Sequence, residues 1–502
     1  MKSTALLTSL FLFAALAARA DWRDLAEFPQ LQTELGASLP TGVGIPVMMS
    51  EANAGGAPAV YLPQATTGTT PFAGTGGLTG KTITPWSGAS TASGHAGNVA
   101  NLFCGSSQSV APGVTELHVW LADDFANNLF SNPIPIFTGS VQNHSWVGEF
   151  GNEATDTAML RRFDFMLNRD LVTASTPLNN GSTMVKLLSN AYHSITPGLR
   201  NGGHPQTHTN IDGLGRMKPD IVVEESVTSN ASPAVASAAT MLLDAIRPGF
   251  PEADDPRVVK AILLSGASKQ NLPGWRRAST SRPYDEILGA GELNVLHAHR
   301  ILAAGRQAAS GSAYRALSGW DKTTSSTASP RRYFFKLLPG QWGTISATIT
   351  WHRTIPGNYA SSTLANLNLH LKSASGFTVG TTMDESLSAV DNVEHLFFRH
   401  LPPGDYALEV SSGTTNVTYG IAWEVQTNSG PQLAVQRDGS QITLSLSQLD
   451  PLETYTIESC TDLQDWQPAA TIRTADTTAA TTANWQETSG AGAKFYQLKW
   501  TP

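Results

Sequence analysis

The stretch SVTSNASPAVASAATMLLDAI, residues 226–246, places a hydroxyl-rich segment directly before a run of very small residues. A helix with side chains this small packs closely against its neighbours, and such helices usually lie centrally between sheet and helix layers. Its first turn carries unpaired N–H groups and the positive end of the helix dipole, which stabilise developing negative charge. Ser229 in this first turn is therefore either a helix cap or a nucleophile.

Short apolar runs alternate with helix-like segments from about residue 42 to residue 306. The runs VGIPVMM, ELHVWLA, VQNHSWVG, DLVTAS and PDIVVEE are typical of short buried strands. The segments between them, AGNVANLF, TAMLRRFDFMLN, SPAVASAATMLLDAIR and DPRVVKAILLSGA, are typical of helices. This alternation predicts an α/β fold in which a parallel sheet is covered by helices on both faces.

The pattern changes after residue 306, where a connection rich in small and polar residues leads into segments of alternating hydrophobicity. Segments such as RRYFFKLL, TISATITWHR, LNLHLKS and DYALEVSS predict an antiparallel β-sandwich over 309–427. A second change follows QTNSGP, and the remaining residues, 428–502, predict a small C-terminal β domain. We expect two all-β domains after the α/β domain, which spans 41–308.

The first twenty residues have the pattern of a secretory signal peptide. Lys2 precedes an apolar stretch over 5–17, and Ala18-Arg19-Ala20 forms a small-residue cleavage site. We therefore expect a signal peptide over 1–20, a spacer over 21–40 and a secreted protein, extracellular or periplasmic. The alternative is an N-terminal membrane anchor, although the apolar stretch is short for a spanning helix.

Composition argues against several classes of partner. The net charge of −8 becomes −10 once Lys2 and Arg19 are removed, and no dense basic run is present, so nucleic acid binding is not expected. No later segment has 18 uninterrupted apolar residues, so membrane insertion is not expected either. The two cysteines are too few and too far apart for a disulfide framework. We expect no cofactor or metal, and a structural calcium ion is left open but not indicated by the segment EADDP.

Three motifs together resemble those of the subtilisin-like serine proteases. TSNASPAVA is similar to the family's nucleophile motif, SGHAGNVANLFCG to its histidine motif, and GVGIPVMMSEA to the first strand, whose end carries the acid. The order acid, histidine, serine is also that of subtilisin. VQNHSW, GRMKPDIVV and LGAGELNVLHAHRIL resemble further family segments, so the resemblance covers about residues 41–306.

The resemblance implies a catalytic triad. Ser229 takes the nucleophile position, His95 that of the general base, and Glu51 stands where the family has aspartate. A serine hydroxyl needs a neutral imidazole to accept its proton, and the imidazole needs an anion on its other nitrogen to fix the tautomer. Glutamate supplies the same charge on one extra methylene. The alternative for Glu51 is a solvated loop carboxylate.

The asparagine of the oxyanion hole is less clearly marked. Alignment of the segment TASTPLNNGS with the family places Asn179 at the donor position, with Asn180 as the alternative, because a register slip of one residue is easy in this loop. A plain Asn-Asn-Gly turn is the third interpretation. Ala96 and Val227 replace glycines that the family carries beside its histidine and serine, which restricts the backbone near the site.

The leading hypothesis is a secreted serine endopeptidase that cleaves proteins or peptides through an acyl-enzyme. Its β domains are expected to contact substrate, a surface, matrix or glycan. One alternative is a binding protein built on a catalytically impaired protease scaffold, motivated by the missing aspartate and glycines. Another is an esterase that uses the same triad.

Overall fold

The computed structural model describes residues 21–64, 71–88, 91–246, 249–272, 274–449, 453–474, 481–488 and 493–501. The predicted signal peptide lies outside these residues. The helices are α1 Trp22–Leu25, α2 Phe28–Leu35, α3 Gly94–Cys104, α4 Ala122–Leu129, α5 Glu153–Asp170, α6 Thr228–Ile246, α7 Pro256–Ser265 and α8 Val295–Ala303.

The first half of the chain contributes twelve short strands among the described residues. They are β1 Val47–Glu51, β2 Val60–Leu62, β3 Phe72–Ala73, β4 Thr82–Pro85, β5 Thr91–Ala92, β6 Glu116–Leu121, β7 Val141–His144, β8 Thr173–Ser175, β9 Pro197–Leu199, β10 Thr207–Thr209, β11 Arg216–Lys218 and β12 Ile221–Val223.

The strands of the second half are longer. They are β13 Ser318–Thr324, β14 Arg331–Leu337, β15 Trp342–Trp351, β16 Leu367–Ser375, β17 Thr378–Ser386, β18 Val393–Leu401, β19 Gly404–Ser412, β20 Thr418–Asn428, β21 Gln432–Asp438, β22 Gln441–Leu449, β23 Thr454–Cys460, β24 Gln467–Arg473, β25 Thr481–Thr488 and β26 Phe495–Thr501.

A six-stranded sheet forms the centre of the α/β domain, in the order β3-β4-β6-β1-β7-β8. All neighbours in it run parallel except the edge pair β3 and β4. β1 lies near the middle, between β6 and β7. In an open parallel sheet, the residues that follow the strands meet at the carboxyl edge, and ligands usually bind there.

Helices cover both faces of this sheet, as the alternation predicts. Val47 and Met49 of β1 pack in one apolar core with residues of α3 and α6, whereas Met48 packs in a second core with residues of α4 and α5. Both sets are fully buried because side chains of a strand alternate between faces and each face has its own helix layer. The predicted α/β sheet with helices on both faces is confirmed.

The predicted all-β part is confirmed as antiparallel sheet. Two four-stranded sheets, β13-β20-β15-β18 and β14-β19-β16-β17, enclose an apolar core that includes Trp351 and Trp423. Two three-stranded sheets follow, β21-β22-β25 and β24-β23-β26, around a smaller core that includes Leu444 and Ile457. Alternating burial along β22 matches a strand with one face on a core.

The sandwich packs directly against the α/β domain. Ala422 of β20 and Val393 of β18 belong to the same apolar core as α6 and α7. The Oγ of Ser265 donates to the carbonyl of Ala422 at 2.8 Å. At Gly420 a Cβ atom would lie 2.7 Å from the backbone of Arg257, so only glycine fits this contact between β20 and α7.

The segment expected to be a spacer contains α1 and α2. Trp22 of α1 is buried, and the N–H of Val295 in α8 donates to the carbonyl of Ala26 at 2.9 Å.

Among the helices described, none has the length and apolar content needed to cross a membrane.

A buried ion network joins the two large units. Arg353, just after β15, donates to Asp164 of α5 at 2.8 Å and to Asp212 at 2.6 Å, and each of the three side chains is at most 1% exposed. Because both carboxylates are out of reach of bulk water, the guanidinium is needed to balance their charge.

Replacing Arg353 by methionine should therefore lower the free energy of unfolding by about 3 to 5 kcal/mol, measured by urea denaturation. Arg161→Met is the matched control, since Arg161 also contacts Asp212, at 2.7 Å, but its side chain is 24% exposed. We expect about 1 kcal/mol or less for the control. Equal losses in both variants would contradict this account of the network.

Candidate active site

Glu51 is the last residue of β1 and reaches the carboxyl edge of the sheet. In the parallel register it lies beside Leu121, the last residue of β6. Its side chain is 1% exposed. Because Met49 and Glu51 are two residues apart on the strand, both side chains lie on the face covered by α3 and α6. The sequence places an acid at this edge, and the fold buries it.

His95 is the second residue of α3, directly above this edge. Ser93 caps the helix, since its Oγ accepts from the N–H of Ala96 at 3.3 Å. The Nδ1 of His95 lies 2.7 Å from the Oε2 of Glu51, while the imidazole is 46% exposed. The buried carboxylate thus contacts one ring nitrogen, which leaves Nε2 to serve a different partner.

The electrostatics of this pair favour a protonated imidazole. The hydrogen bond to Glu51 raises the pKa of His95, and partial burial opposes that effect. Burial raises the pKa of Glu51, and the contact with His95 opposes it. The Oε1 of Glu51 is buried and has no hydrogen-bond partner among the described residues. His95 is therefore the main partner that stabilises the carboxylate in its charged form.

Ser229 is the second residue of α6, and a proline one turn later determines its surroundings. Pro233 has no N–H, so the carbonyl of Ser229 cannot receive its usual helical hydrogen bond. The Oγ of Ser145, which directly follows β7, donates to that carbonyl at 2.9 Å instead. This bond ties the start of α6 to the carboxyl edge of the sheet.

The first turns of α3 and α6 lie side by side. The Nδ2 of Asn98, three residues after His95, donates to the Oδ1 of Asn230 at 2.8 Å. Asn230 directly follows Ser229 and is held on its other side by Glu225, whose Oε2 accepts from its Nδ2 at 3.2 Å. The fold therefore brings Glu51 and His95 into contact and places Ser229 at the adjacent helix start.

The two candidate oxyanion asparagines have different surroundings. The Oδ1 of Asn180 accepts from the N–H of Thr228 at 2.9 Å and lies 3.2 Å from its hydroxyl. Asn179 instead donates through its Nδ2 to the carbonyl of Thr183 at 3.1 Å, within its own loop. Asn180 is thus the one that contacts the residue before Ser229, and within the described part of the chain its amide nitrogen makes no hydrogen bond.

Two contacts at this site have no clear sequence signal. Ser145 lies in VQNHSW, a segment whose resemblance to the family says nothing of a bond to Ser229. The Oγ of Ser232 donates to the Oγ of Ser175 at 3.0 Å, one turn further into α6. The sequence gives one hint of the Ser145 contact. Pro233, four residues after Ser229, leaves the Ser229 carbonyl without its helical donor, so this carbonyl needs a donor from another element.

His144, Cys104 and Cys460 are other side chains that could carry chemistry, and all three are buried. His144 of β7 is fully buried beside Ser50, with Nδ1 and Oγ 2.6 Å apart, and burial lowers its pKa to about 3. Cys104 and Cys460 are buried free thiols. Within the described ranges, no group of three or more His, Cys, Asp or Glu side chains is arranged to hold a metal ion.

The chain is only weakly similar to known proteins. No family model matches the chain, and no curated protein matches it. The crystal structure of tripeptidyl peptidase 2 is similar over 81% of this chain and 51% of that chain, with 10% identity and a TM-score of 0.27. The chain thus spans about half the length of that peptidase.

Two carbohydrate-active enzymes share less. A beta-1,2-glucanase from Parabacteroides distasonis is similar over 34% of this chain and 28% of its own, with 12% identity and a TM-score of 0.12. A beta-glucuronidase from an uncultured Clostridium sp. is similar over 36% and 33%, with 8% identity and a TM-score of 0.11. At these TM-scores none of the three similarities supports an argument about function.

Replacing Glu51 by glutamine should lower the pKa of His95, because the contact with the carboxylate is the main cause that raises it. The measurement is an NMR titration of the His95 imidazole in both proteins. His297 is an internal control: its burial opposes the charged form, but its contact with Glu424 raises its pKa, and Glu51→Gln should leave it unchanged. An unchanged His95 titration would show that Glu51 does not control it.

Proposed function

We propose that this protein is a secreted serine peptidase in which Ser229, His95 and Glu51 act as the triad. The observation that carries the proposal is the 2.7 Å contact between Nδ1 of His95 and a buried carboxylate, beside the helix start that holds Ser229. The three sequence motifs in subtilisin order support it independently. Cleavage of peptide bonds in proteins or peptides, and secretion, are both parts of the proposal.

The chemistry follows from the surroundings of each group. His95 in its neutral form accepts the Ser229 proton through Nε2 as the hydroxyl attacks the scissile carbonyl carbon. Its Nδ1–H then donates to Glu51, so the imidazolium that forms is stabilised by a carboxylate already in contact with it. His95 returns the proton to the leaving amine, and water later attacks the acyl-enzyme by the same route.

The oxyanion of the tetrahedral intermediate needs fixed donors. The N–H of Ser229 in the first turn of α6 is one, because the first four N–H groups of a helix have no intrahelical acceptor. We assign the second donor to the Nδ2 of Asn180, because the contact of its Oδ1 with Thr228 orients the amide at this helix start. Asn179 is directed to Thr183 and, among the described residues, has no such hydrogen bond to α6.

A serine-reactive fluorophosphonate should label Ser229 in the folded protein, because an activated Oγ attacks the probe's phosphorus and displaces fluoride, as it attacks a substrate carbonyl and displaces the amine. Mass spectrometry of the labelled peptide locates the modification. Ser229→Ala should abolish labelling and His95→Ala should slow it by several orders of magnitude. Folded protein that resists labelling would instead favour the impaired binding scaffold.

Substrate class is tested on protein that has not been treated with the probe. A peptidase should degrade casein and lose that activity in Ser229→Ala. Turnover of short acyl esters without any cleavage of casein would identify an esterase that uses the same three residues.

Mutation can show which of the two asparagines, Asn179 or Asn180, donates to the oxyanion. Asn180→Ala should lower kcat by about 100- to 1000-fold with little change in KM, since an oxyanion donor acts in the transition state. The matched control Asn179→Ala removes the neighbouring amide and should lower kcat by less than about tenfold. The reverse order would assign the oxyanion hole to Asn179.

Activity should also depend on pH through His95. The neutral imidazole is the active form, so kcat/KM should rise with pH through the pKa of His95, which lies above its ordinary value. In Glu51→Gln this acid limb should move to lower pH while the maximal rate falls, because the imidazolium loses its counter-charge. A limb that stays in place would contradict the role of Glu51.

A further inference from the structure

A cavity of about 330 Å³ lies between the α/β domain and the sandwich, away from Ser229. Both units line it: Ser268, Lys269 and His297 come from the first, and Ser346, Arg399 and Glu424 from the second. Its walls are mostly polar. Gln270, Gln426 and Asn428 also line it and are exposed, so the cavity opens to solvent there.

The lysine in this cavity is buried without a counter-ion. Lys269 is 3% exposed, and its Nζ donates to the carbonyl of Ala267 at 3.1 Å and to the Oγ of Ser346 at 3.2 Å. Within the described residues no carboxylate lies in ion-pair contact with it. The ring of Phe397, another lining residue, has its centroid 4.9 Å from Nζ.

Two of the other buried lysines differ in this respect, whereas Lys81, 5% exposed, donates only to backbone carbonyls among the described residues. Lys218 contacts the carboxylate of Asp220 at 2.7 Å, and Lys260 contacts the same carboxylate at 3.3 Å. Burial of an ammonium group is costly unless an anion accompanies it, and these two have one. Lys269 has only neutral acceptors and an aromatic face, and it lines the cavity together with a second cation, Arg399.

The other charged residues of the lining do not compensate the charge of Lys269. Arg399 brings a second cation, whose carboxylate contact among the described residues is with Glu453 at 3.2 Å, outside the lining. Glu424 is the acid of the lining, but it is already paired with His297 at 2.7 Å. Burial and then Arg399 lower the pKa of Lys269 well below its usual range, and Glu424 opposes them. The charged form of Lys269 therefore lacks compensation in the protein alone.

We propose that this cavity binds a small oxyanion, a carboxylate or a sulfate-like group, between Lys269 and Arg399. Guanidinium and ammonium groups are the side chains that recognise such anions, and the amides and hydroxyls of the lining supply further donors. The cavity volume is about ten times that of one water molecule, which accommodates an ion of this size. A bound anion would contact both units at once and so stabilise their packing.

The test uses the full chain and two probes, sulfate and acetate, each replacing chloride at constant ionic strength. The Tm of the wild-type protein should rise and saturate with one or both probes. Equilibrium dialysis with radiolabelled probe should give one bound ion per chain. Saturation with sulfate alone identifies a tetrahedral anion, and saturation with acetate alone identifies a carboxylate.

Lys269→Met should remove the saturable rise and the bound ion. Without added probe its Tm should equal or exceed that of the wild type, because an uncompensated buried charge has been replaced by an apolar side chain. Lys218→Met is the matched control: it leaves Asp220 with one cation fewer, so the Tm should fall in every buffer while the saturable rise remains. These results distinguish a binding lysine from a structural one.

A wild-type Tm that rises only linearly with sulfate, as it does for any excluded salt, would overturn the proposal. So would a saturable rise that survives in Lys269→Met. None of these readouts depends on Ser229, so the site can fail while the peptidase proposal holds, and the reverse.

Discussion

Close packing of α6 is the constraint on which the rest of the α/β domain depends. From Ala231 to Leu242 every side chain of this helix is buried, and most are alanine, serine or another small residue. Their size lets α3 and the sheet approach closely. At Gly42, a Cβ atom would lie 3.0 Å from the side chain of Thr240, so even one added methyl group would need the neighbours to move.

The polar residues of α6 satisfy backbone groups that its close approach removes from water. The Oδ2 of Asp244 accepts from the N–H groups of Thr41, Gly42 and Val43, and the Oγ of Ser237 accepts from the N–H of Val110 at 3.0 Å. Loops that lead into β1 and β6 are therefore fixed by the same helix that carries Ser229. The same helix therefore positions both Ser229 and the strands of the sheet.

Sequence reasoning works well where a signal is local and periodic. The α/β sheet and the antiparallel second half follow from the period of the apolar residues, because burial on one or two faces determines that period. The placement of Glu51 at the end of β1 comes instead from the resemblance of its segment to the family's first strand. Its contact with His95, 44 residues further along, depends on how α3 lies across the sheet, which no local pattern determines.

Other features needed the folded chain. Asn179 and Asn180 are indistinguishable in an Asn-Asn-Gly loop, and only the hydrogen bonds of their amides separate them. Lys269 lies in a short polar segment, and what makes it unusual is that its acceptors are uncharged while the nearby acid of the sandwich, Glu424, is paired with His297. Such a counter-ion deficit is a property of the assembled interface.

The burial of Glu51 argues for a functional rather than a structural carboxylate. Its Oε1 has no partner among the described residues, so the group lowers stability relative to an apolar side chain that fills the same space. Its one hydrogen bond in that part of the chain goes to a half-exposed imidazole, which contributes little to the core in return. A protein that used this fold as a binding scaffold would gain stability from leucine or methionine here. A group that lowers the stability of the fold without a compensating contact is typical of an active site.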